Sequence, residues 1–332
     1  MKIKELQQEI FLRLASFLGE GEARAVVRLL MEHFTGYDNL YINLNPQTKI
    51  SENTVNQVNI AVKQILENKP VQYVLGETVF CGLPFLVTDS VLVPRPETEE
   101  LTNWVINENP HAKKLLDIGT GSGCIAVSLA KNIHNCEVYA MEISEDALKI
   151  AQKNAELNHV KINFMQGDIL FCHSEFSSEF PVNEEIADKV RNDANTDIKF
   201  DVIVSNPPYV REMEKSYMHK RVLDYEPHIA LFVEDRRPLL FYHAILKFGQ
   251  THLAKNGKLY FEINEYFGKE LFYLYLAYGY NNICLKQDIH GKDRMICGEK
   301  LGVKGVKNHG NQKKPQFRQI FQKKVVSLQP EV

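Results

Sequence analysis

Asn206-Pro207-Pro208-Tyr209 follows directly on the apolar run Phe200-Asp201-Val202-Ile203-Val204-Ser205. An apolar run bounded by turn residues reads as a buried strand, and two consecutive prolines cannot continue a sheet. The tetrapeptide is therefore a stiff loop at the carboxyl end of a strand, the edge where open α/β sheets bind ligands. It offers the Asn206 side-chain amide, the backbone carbonyls held by Pro207 and Pro208, and the aromatic face of Tyr209. That set suits holding a planar –NH2 group, in an amide or a base, while a second reactant attacks it. Four residues alone also fit a plain Pro-rich turn, the lesser of the two readings, and the other strand ends decide between them.

Three more strand ends carry suitable groups. Leu115-Leu116-Asp117-Ile118 runs into Gly119-Thr120-Gly121-Ser122-Gly123, and Cys124-Ile125-Ala126-Val127 opens a helix. Glycines let the backbone approach a ligand, and the helix start lends positive partial charge. Gly121-x-Gly123-x-x-Ala126 also matches the dinucleotide fingerprint. Glu142 ends the next strand, 23 residues after Gly119. A carboxylate there accepts ribose hydroxyls from a dinucleotide or an adenosyl ligand, or simply favours the helix that starts at Ser144. After the third strand, Asp168 can meet an adenine amino group and Ile169 can pack on the ring. Together these ends fit S-adenosylmethionine. A nicotinamide enzyme has no need of Asn-Pro-Pro-Tyr at the fourth.

The elements that must position these residues are legible as periodicities. Strands are predicted at Lys114–Ile118, Glu137–Met141, Ile162–Met165, Phe200–Ser205, Lys258–Ile263 and Ile283–Gln287, with a last one at Arg294–Gly298. Helices fall between them, including Glu145–Asn158 and Leu239–Leu253. Such alternation predicts an α/β fold with a mainly parallel sheet covered on both faces. Ahead of it, Ile3, Leu6, Ile10, Leu14 and Phe17 recur at helical spacing, as do Ala23, Val26, Val27, Leu30 and Phe34. A third helix starts at the N-cap Ser51 and carries Val55, Val58, Val62 and Ile65 up to Pro70. Residues 1–70 thus read as a small helical domain with no catalytic cluster, suited to recognising a partner. Residues 71–93 read as a β-hairpin linker, with short strands at Val71–Val74, Val79–Phe80 and Phe85–Val87. Residues 94–300 form the catalytic domain, interrupted by a polar insertion at 173–198.

Composition narrows the class. With 332 residues, 44% apolar and 24% charged, the chain is an ordinary globular protein of about two domains. No apolar run is long enough to span a membrane, and the start lacks a secretory signal. The six cysteines are scattered without a C-x-x-C pair, and no H-E-x-x-H occurs. No metal is expected, and reduced thiols fit a cytoplasmic location. Residues 301–332 hold seven basic residues against Glu331, a balance of +6, which leaves −9 on the first 300 of the formal −3. An acidic body does not suit a free DNA-binding protein. The basic tail reads as a solvated, disordered segment, with weak RNA or ribosome contact as the other reading.

Taken together, these residues resemble the class I S-adenosylmethionine-dependent methyltransferases. More narrowly, they resemble the PrmC/HemK family, the N5-glutamine methyltransferases of peptide-chain release factors. Pro94-Arg95-Pro96-Glu97-Thr98-Glu99 is similar to the family's segment ahead of the glycine loop. Asp117–Gly123 matches its cofactor loop, and Asn206–Val210 its active-site loop. Tyr225-Glu226-Pro227-His228-Ile229-Ala230-Leu231 and Asp293-Arg294 resemble later signatures. The resemblance covers roughly residues 1–300. Glu142 stands where Asp is more usual, and Ile169 where some members carry an aromatic. The insertion and the tail are extra.

The resemblance implies a seven-stranded, mostly parallel sheet with helices on both faces, plus the N-terminal helical domain and hairpin. It implies S-adenosylmethionine held by Gly119, Thr120, Gly121, Ser122, Gly123, Glu142, Asp168, Ile169 and Asn206. It implies methylation of the glutamine side-chain nitrogen in the Gly-Gly-Gln motif of class I release factors, by a monomer. The alternative is an adenine-N6 or guanine-N2 nucleic-acid methyltransferase, which uses the same loop on a flipped base. For catalysis, the Asn206 oxygen and the Pro207 carbonyl are expected to accept the substrate –NH2, Pro208 to stiffen the loop, and Tyr209 to pack on the amide. Arg95, Glu97 and Thr98 either close over cofactor or substrate, or form a structural turn and cap. Tyr225-Glu226-Pro227 either shapes the substrate slot or packs.

Overall fold

The computed structural model describes residues 1–171 and 198–301. The insertion read at 173–198 and the tail read at 301–332 lie outside the described residues, apart from their edge positions 198 and 301. No helix among the described residues is long and apolar enough to cross a membrane. Nor do those residues include a group of His, Cys, Asp and Glu able to hold a metal ion.

The N-terminal part is helical. Helices α1 (Ile3–Leu18), α2 (Glu20–Thr35), α3 (Asn39–Leu44), α4 (Glu52–Leu66) and α5 (Val71–Leu75) share one core. Ile3, Leu6, Ile10 and Leu14 are fully buried in it with Leu30, Val58 and Val62. Each such side chain contributes about 1.5–3 kcal/mol. Phe17, expected on the same stripe, is exposed, and Leu18 packs instead at the end of α1.

Residues 71–74, predicted as a strand, form the short helix α5. Pro70 sets its entry at φ −53 and Gly76 ends it in the left-handed region at φ 75. Val71, Val74 and Leu75 join the helical core, a three-and-four spacing that the β-branched composition obscured. Beyond Gly76, β1 (Glu77–Phe80) and β2 (Leu83–Leu86) pair as a hairpin. Cys81 and Gly82 turn it with φ of 48 and 73, both positive as a type I′ turn demands.

The remaining chain builds a seven-stranded sheet from β3 (Lys114–Ile118), β4 (Glu137–Glu142), β5 (Ile162–Gln166), β6 (Phe200–Ser205), β9 (Leu253–Glu262), β10 (Tyr280–Gln287) and β11 (Asp293–Lys300). A short pair, β7 (Val210–Arg211) with β8 (Phe232–Val233), lies beyond β6. Strand order in the sheet is β10-β11-β9-β6-β3-β4-β5. The run from β9 to β5 is parallel, and β11 is antiparallel to both its neighbours.

Side chains alternate across the sheet as strand geometry requires. Leu115, Val138, Val202 and Val204 face α6 (Pro96–Glu108) and α7 (Cys124–Asn132), with Ala155 of α8 (Glu145–Leu157). Leu116, Ile118 and Ile203 share the opposite core with α10 (Leu240–His252) and α11 (Gly268–Ala277), numbered after the one-turn helix α9 (Lys220–Leu223). Burial on both faces explains why these strands read as nearly unbroken apolar runs.

Register then sets the site. Ile118 pairs with Met141 on one side and Ser205 on the other. The residues that follow, Gly119, Glu142 and Asn206, therefore emerge side by side where strand order reverses, the ligand position of open α/β sheets. Ser205 also pairs with Phe261, which brings Glu262 beside Asn206.

Candidate active site

A cavity of about 310 Å3 opens at this edge. Its floor is the glycine loop. Gly119 and Thr120 donate their backbone N–H groups to the Met141 carbonyl at 2.9 and 3.1 Å. Thr120 caps the buried Asp117 carboxylate with a 2.6 Å hydroxyl bond. Burial pushes the Asp117 carboxyl up to about 7. Gly123, at φ 80, opens α7, and a Cβ there would meet the Ala151 Cβ at 3.1 Å. Only glycine combines that left-handed backbone with so close a neighbour. Asn154 of α8 locks the loop to the hairpin. Its amide donates to the Ser122 and Leu86 carbonyls at 2.8 and 2.9 Å and accepts from the Leu86 N–H at 2.7 Å.

Glu142 is buried, and its carboxylate accepts backbone N–H bonds from Gly121 at 2.8 Å, Ile143 at 2.9 Å and Ser144 at 3.0 Å. Three of its roughly four acceptor directions are taken, which fixes the group while leaving it able to receive a hydroxyl. Ser144 caps α8 by accepting from the Ala147 N–H, so carboxylate and cap share one turn. Asp168 lines the cavity, accepts from the Leu170 N–H at 2.8 Å, and is raised above the ordinary carboxylate range by burial. Ile169, buried, and Ile143 add apolar walls.

Asn206, Pro207 and Pro208 also line the cavity. Asn206 donates its side-chain N–H to the Thr98 hydroxyl at 3.2 Å. Thr98 donates to Glu262 at 2.6 Å, and Tyr209 donates to the other Glu262 oxygen at 2.9 Å. Tyr209 does not line the cavity: its ring packs at the edge of the β-sheet core and its hydroxyl is spent on Glu262. A tyrosine hydroxyl that enters the interior needs a partner, and Glu262 supplies it, anchoring Tyr209 behind the loop. Burial and the Glu262 charge push its phenol well above the usual range.

Arg95, Glu97 and Thr98, at the start of α6, split between their two readings. Arg95 and Thr98 line the cavity. Arg95 pairs with the buried Glu226 at 2.5 Å, joining the two loops that flank the opening. Glu97 lies in the first turn of α6, where a carboxylate meets the positive helix end. Pro227 lines the cavity, while Tyr225 donates its hydroxyl to the Glu67 carbonyl of the N-terminal helices at 2.9 Å.

Glu262, together with Asn264, which donates to the Tyr209 carbonyl at 3.2 Å, escaped the sequence reading. The available signal was an acid at the end of the strand Lys258–Ile263, an otherwise apolar run whose burial demands a partner for any carboxylate.

The donor set fits an adenosyl ligand: one fixed carboxylate at a strand end, a second acid one strand further, apolar walls, and glycines beneath. Seven strands in this order, with this cavity at the switch point, define a class I S-adenosylmethionine-dependent methyltransferase. Comparison with known proteins agrees. The family described as methyltransferase small domain matches residues 98–183, and the PrmC N-terminal domain matches residues 5–76. A protein of Flavobacterium psychrophilum named release factor glutamine methyltransferase is 46% identical over 301 residues, 89% of this chain and 98% of its own. Its namesake in Bacteroides thetaiotaomicron is 40% identical over 275 residues, 83% of this chain and 92% of its own. The chain belongs to the release factor glutamine methyltransferase family.

Proposed function

We propose that this enzyme methylates the side-chain amide nitrogen, N5, of the glutamine in the Gly-Gly-Gln motif of class I peptide-chain release factors. The family supports the substrate class. The observation that carries the chemistry is the Asn206 amide, whose nitrogen is engaged by Thr98 at 3.2 Å while Asn206 and Pro207 both line the cavity.

S-adenosylmethionine supplies a methyl group already activated on a sulfonium. Gly119, Thr120, Gly121, Ser122 and Gly123 would cradle it, Glu142 would accept a ribose hydroxyl in its remaining acceptor direction, and Asp168 and Ile169 would hold the adenine. A glutamine amide nitrogen is a poor nucleophile because its lone pair is delocalised into the carbonyl. The protein must therefore add position and polarisation. Asn206 Oδ1 and the Pro207 carbonyl accept the two N–H groups of the substrate amide, aim the nitrogen, and stabilise the positive charge that grows on it. Pro207 and Pro208 hold those acceptors still, which lowers the cost of reorganisation during transfer. The proton leaves after the methyl arrives, so no strong base is required.

The α1–α5 domain supports recognition of a protein partner, since Tyr225 and Glu67 couple it to the loop that flanks the cavity. A monomer acting in the cytoplasm completes the reading. Contact with RNA or the ribosome through the basic tail rests on residues outside those described. The test is methylation of a purified release factor by the chain with S-adenosylmethionine, read peptide by peptide. Methyl transfer to duplex or single-stranded DNA instead would overturn it.

A further inference from the structure

We infer that Glu262 is a positioning residue: through Thr98 it fixes which end of the Asn206 amide faces the substrate. The inference rests on the glutamine-methylation reading for its substrate, and its geometry stands on four side chains.

The count of protons is closed. Thr98 has one hydroxyl proton and spends it on Glu262 Oε2 at 2.6 Å. Tyr209 likewise spends its proton on Glu262 Oε1 at 2.9 Å. With its proton committed, the Thr98 oxygen can only accept, so the Asn206 group that meets it at 3.2 Å must be the N–H. Asn206 Oδ1 is left for the cavity as an acceptor. A substrate –NH2 carries two donors and needs acceptors there. Reversing the amide would present two N–H groups to two N–H groups and abolish the bond.

Glu262 is 1% exposed and comes from β9, Thr98 from α6, and Asn206 from the loop after β6. Residues 98, 206 and 262 thus meet only in the folded sheet. Other groups face Glu262 as well. Tyr242 of α10 donates to its backbone carbonyl at 3.1 Å, while Arg294 of β11 lowers and Glu97 of α6 raises its proton affinity. Burial is the largest influence and lifts the carboxyl above the ordinary range. Protonated Glu262 has one acceptor oxygen fewer. Thr98 is then free to donate to Asn206 Oδ1, and the amide can turn. Activity should therefore fall on the acid side as Glu262 takes up a proton.

The experiment compares wild type with Glu262→Gln, Thr98→Val and Thr98→Ser, using a release factor as substrate. S-adenosylmethionine affinity and thermal unfolding report the fold of each variant. In Glu262→Gln the new –NH2 competes to donate to Thr98. The expected result is a kcat lower on the order of a hundredfold in Glu262→Gln and Thr98→Val, with cofactor affinity held. Thr98→Ser should recover at least about tenfold over Thr98→Val, since the hydroxyl is what counts. The acid limb of kcat should vanish in Glu262→Gln. Near wild-type kcat in Glu262→Gln, or Thr98→Ser as impaired as Thr98→Val, would overturn the inference.

If wild type leaves the release factor unmethylated, the substrate reading fails separately. The relay is then judged on the Asn206 side-chain N–H resonances, identified by their loss in Asn206→Asp. A shift of those signals in Glu262→Gln supports it, and unchanged signals overturn it.

Discussion

Thr98 donates its hydroxyl proton to Glu262 at 2.6 Å, joining residues 164 positions apart in the chain. That one bond ties the helix that follows Pro94-Arg95-Pro96 to the strand beside the Asn206 loop. It makes the segment ahead of the glycine loop part of the active-site wall, and it gives the amide of Asn206 a single orientation.

Replacing Asn206 by Ala removes the side-chain acceptor and leaves the Pro207 carbonyl alone. Loss of one preorganised hydrogen-bonding group at a reacting centre costs on the order of 10²–10³ in kcat. Cofactor affinity, measured by calorimetry, is expected to hold, because Glu142 and the glycine loop are untouched. Turnover close to wild type would refute the role given to Asn206.

Glu142 behaves differently. Its carboxylate accepts three backbone N–H bonds in the cofactor loop. In Glu142→Gln one oxygen becomes an –NH2 facing N–H donors, and the charge is lost. Charge-assisted bonds are worth about 1.5–3 kcal/mol, so S-adenosylmethionine should bind on the order of a hundredfold more weakly. Saturating cofactor should restore much of kcat, in contrast to Asn206→Ala.

Asp117 links the loop to pH. Its carboxyl is raised by burial to about 7 in the folded protein, against 3.8 as the reference value. Because the folded value is the higher one, stability from this group is complete below about pH 4 and is lost as pH rises toward 7. At about 1.4 kcal/mol per unit, the loss is at most roughly 4 kcal/mol. Asp117→Asn should flatten that slope, seen as a smaller change in unfolding free energy across the window. An unchanged slope would show that other groups set the pH dependence.

Asn154→Ala tests the lock between hairpin and glycine loop. Three backbone groups, the Leu86 N–H and the Leu86 and Ser122 carbonyls, lose their side-chain partner. The Ser122 bond is buried and the two Leu86 bonds are part-buried; at about 1–3 kcal/mol for a buried group left unsatisfied, the variant should unfold about 1–3 kcal/mol more easily. Denaturant titration checks this, and a shift near zero would mean that water replaces the amide at no cost.

Much of the fold was legible because parallel strands buried on both faces leave nearly unbroken apolar runs, as in Val202–Val204 and, interrupted only by Asp117, Leu115–Ile118. The glycine loop, Glu142 and Asn206 were legible because each ends such a run. Glu262 was not, because its partners Thr98 and Tyr209 lie 164 and 53 positions away in sequence. Nothing local announces such a meeting; the pairing of Ser205 with Phe261 creates it. Val71–Leu75 misled for a different reason. Its β-branched residues favour strands, yet Pro70 and Gly76 confine it to a single helical turn.

The central claim is tested most directly by mass spectrometry of a class I release factor after incubation with this protein and S-adenosylmethionine. One added methyl, on the glutamine of the Gly-Gly-Gln tripeptide and absent with Asn206→Ala, is the expected result. An unmodified release factor, with S-adenosylmethionine shown to bind the enzyme, would contradict the account.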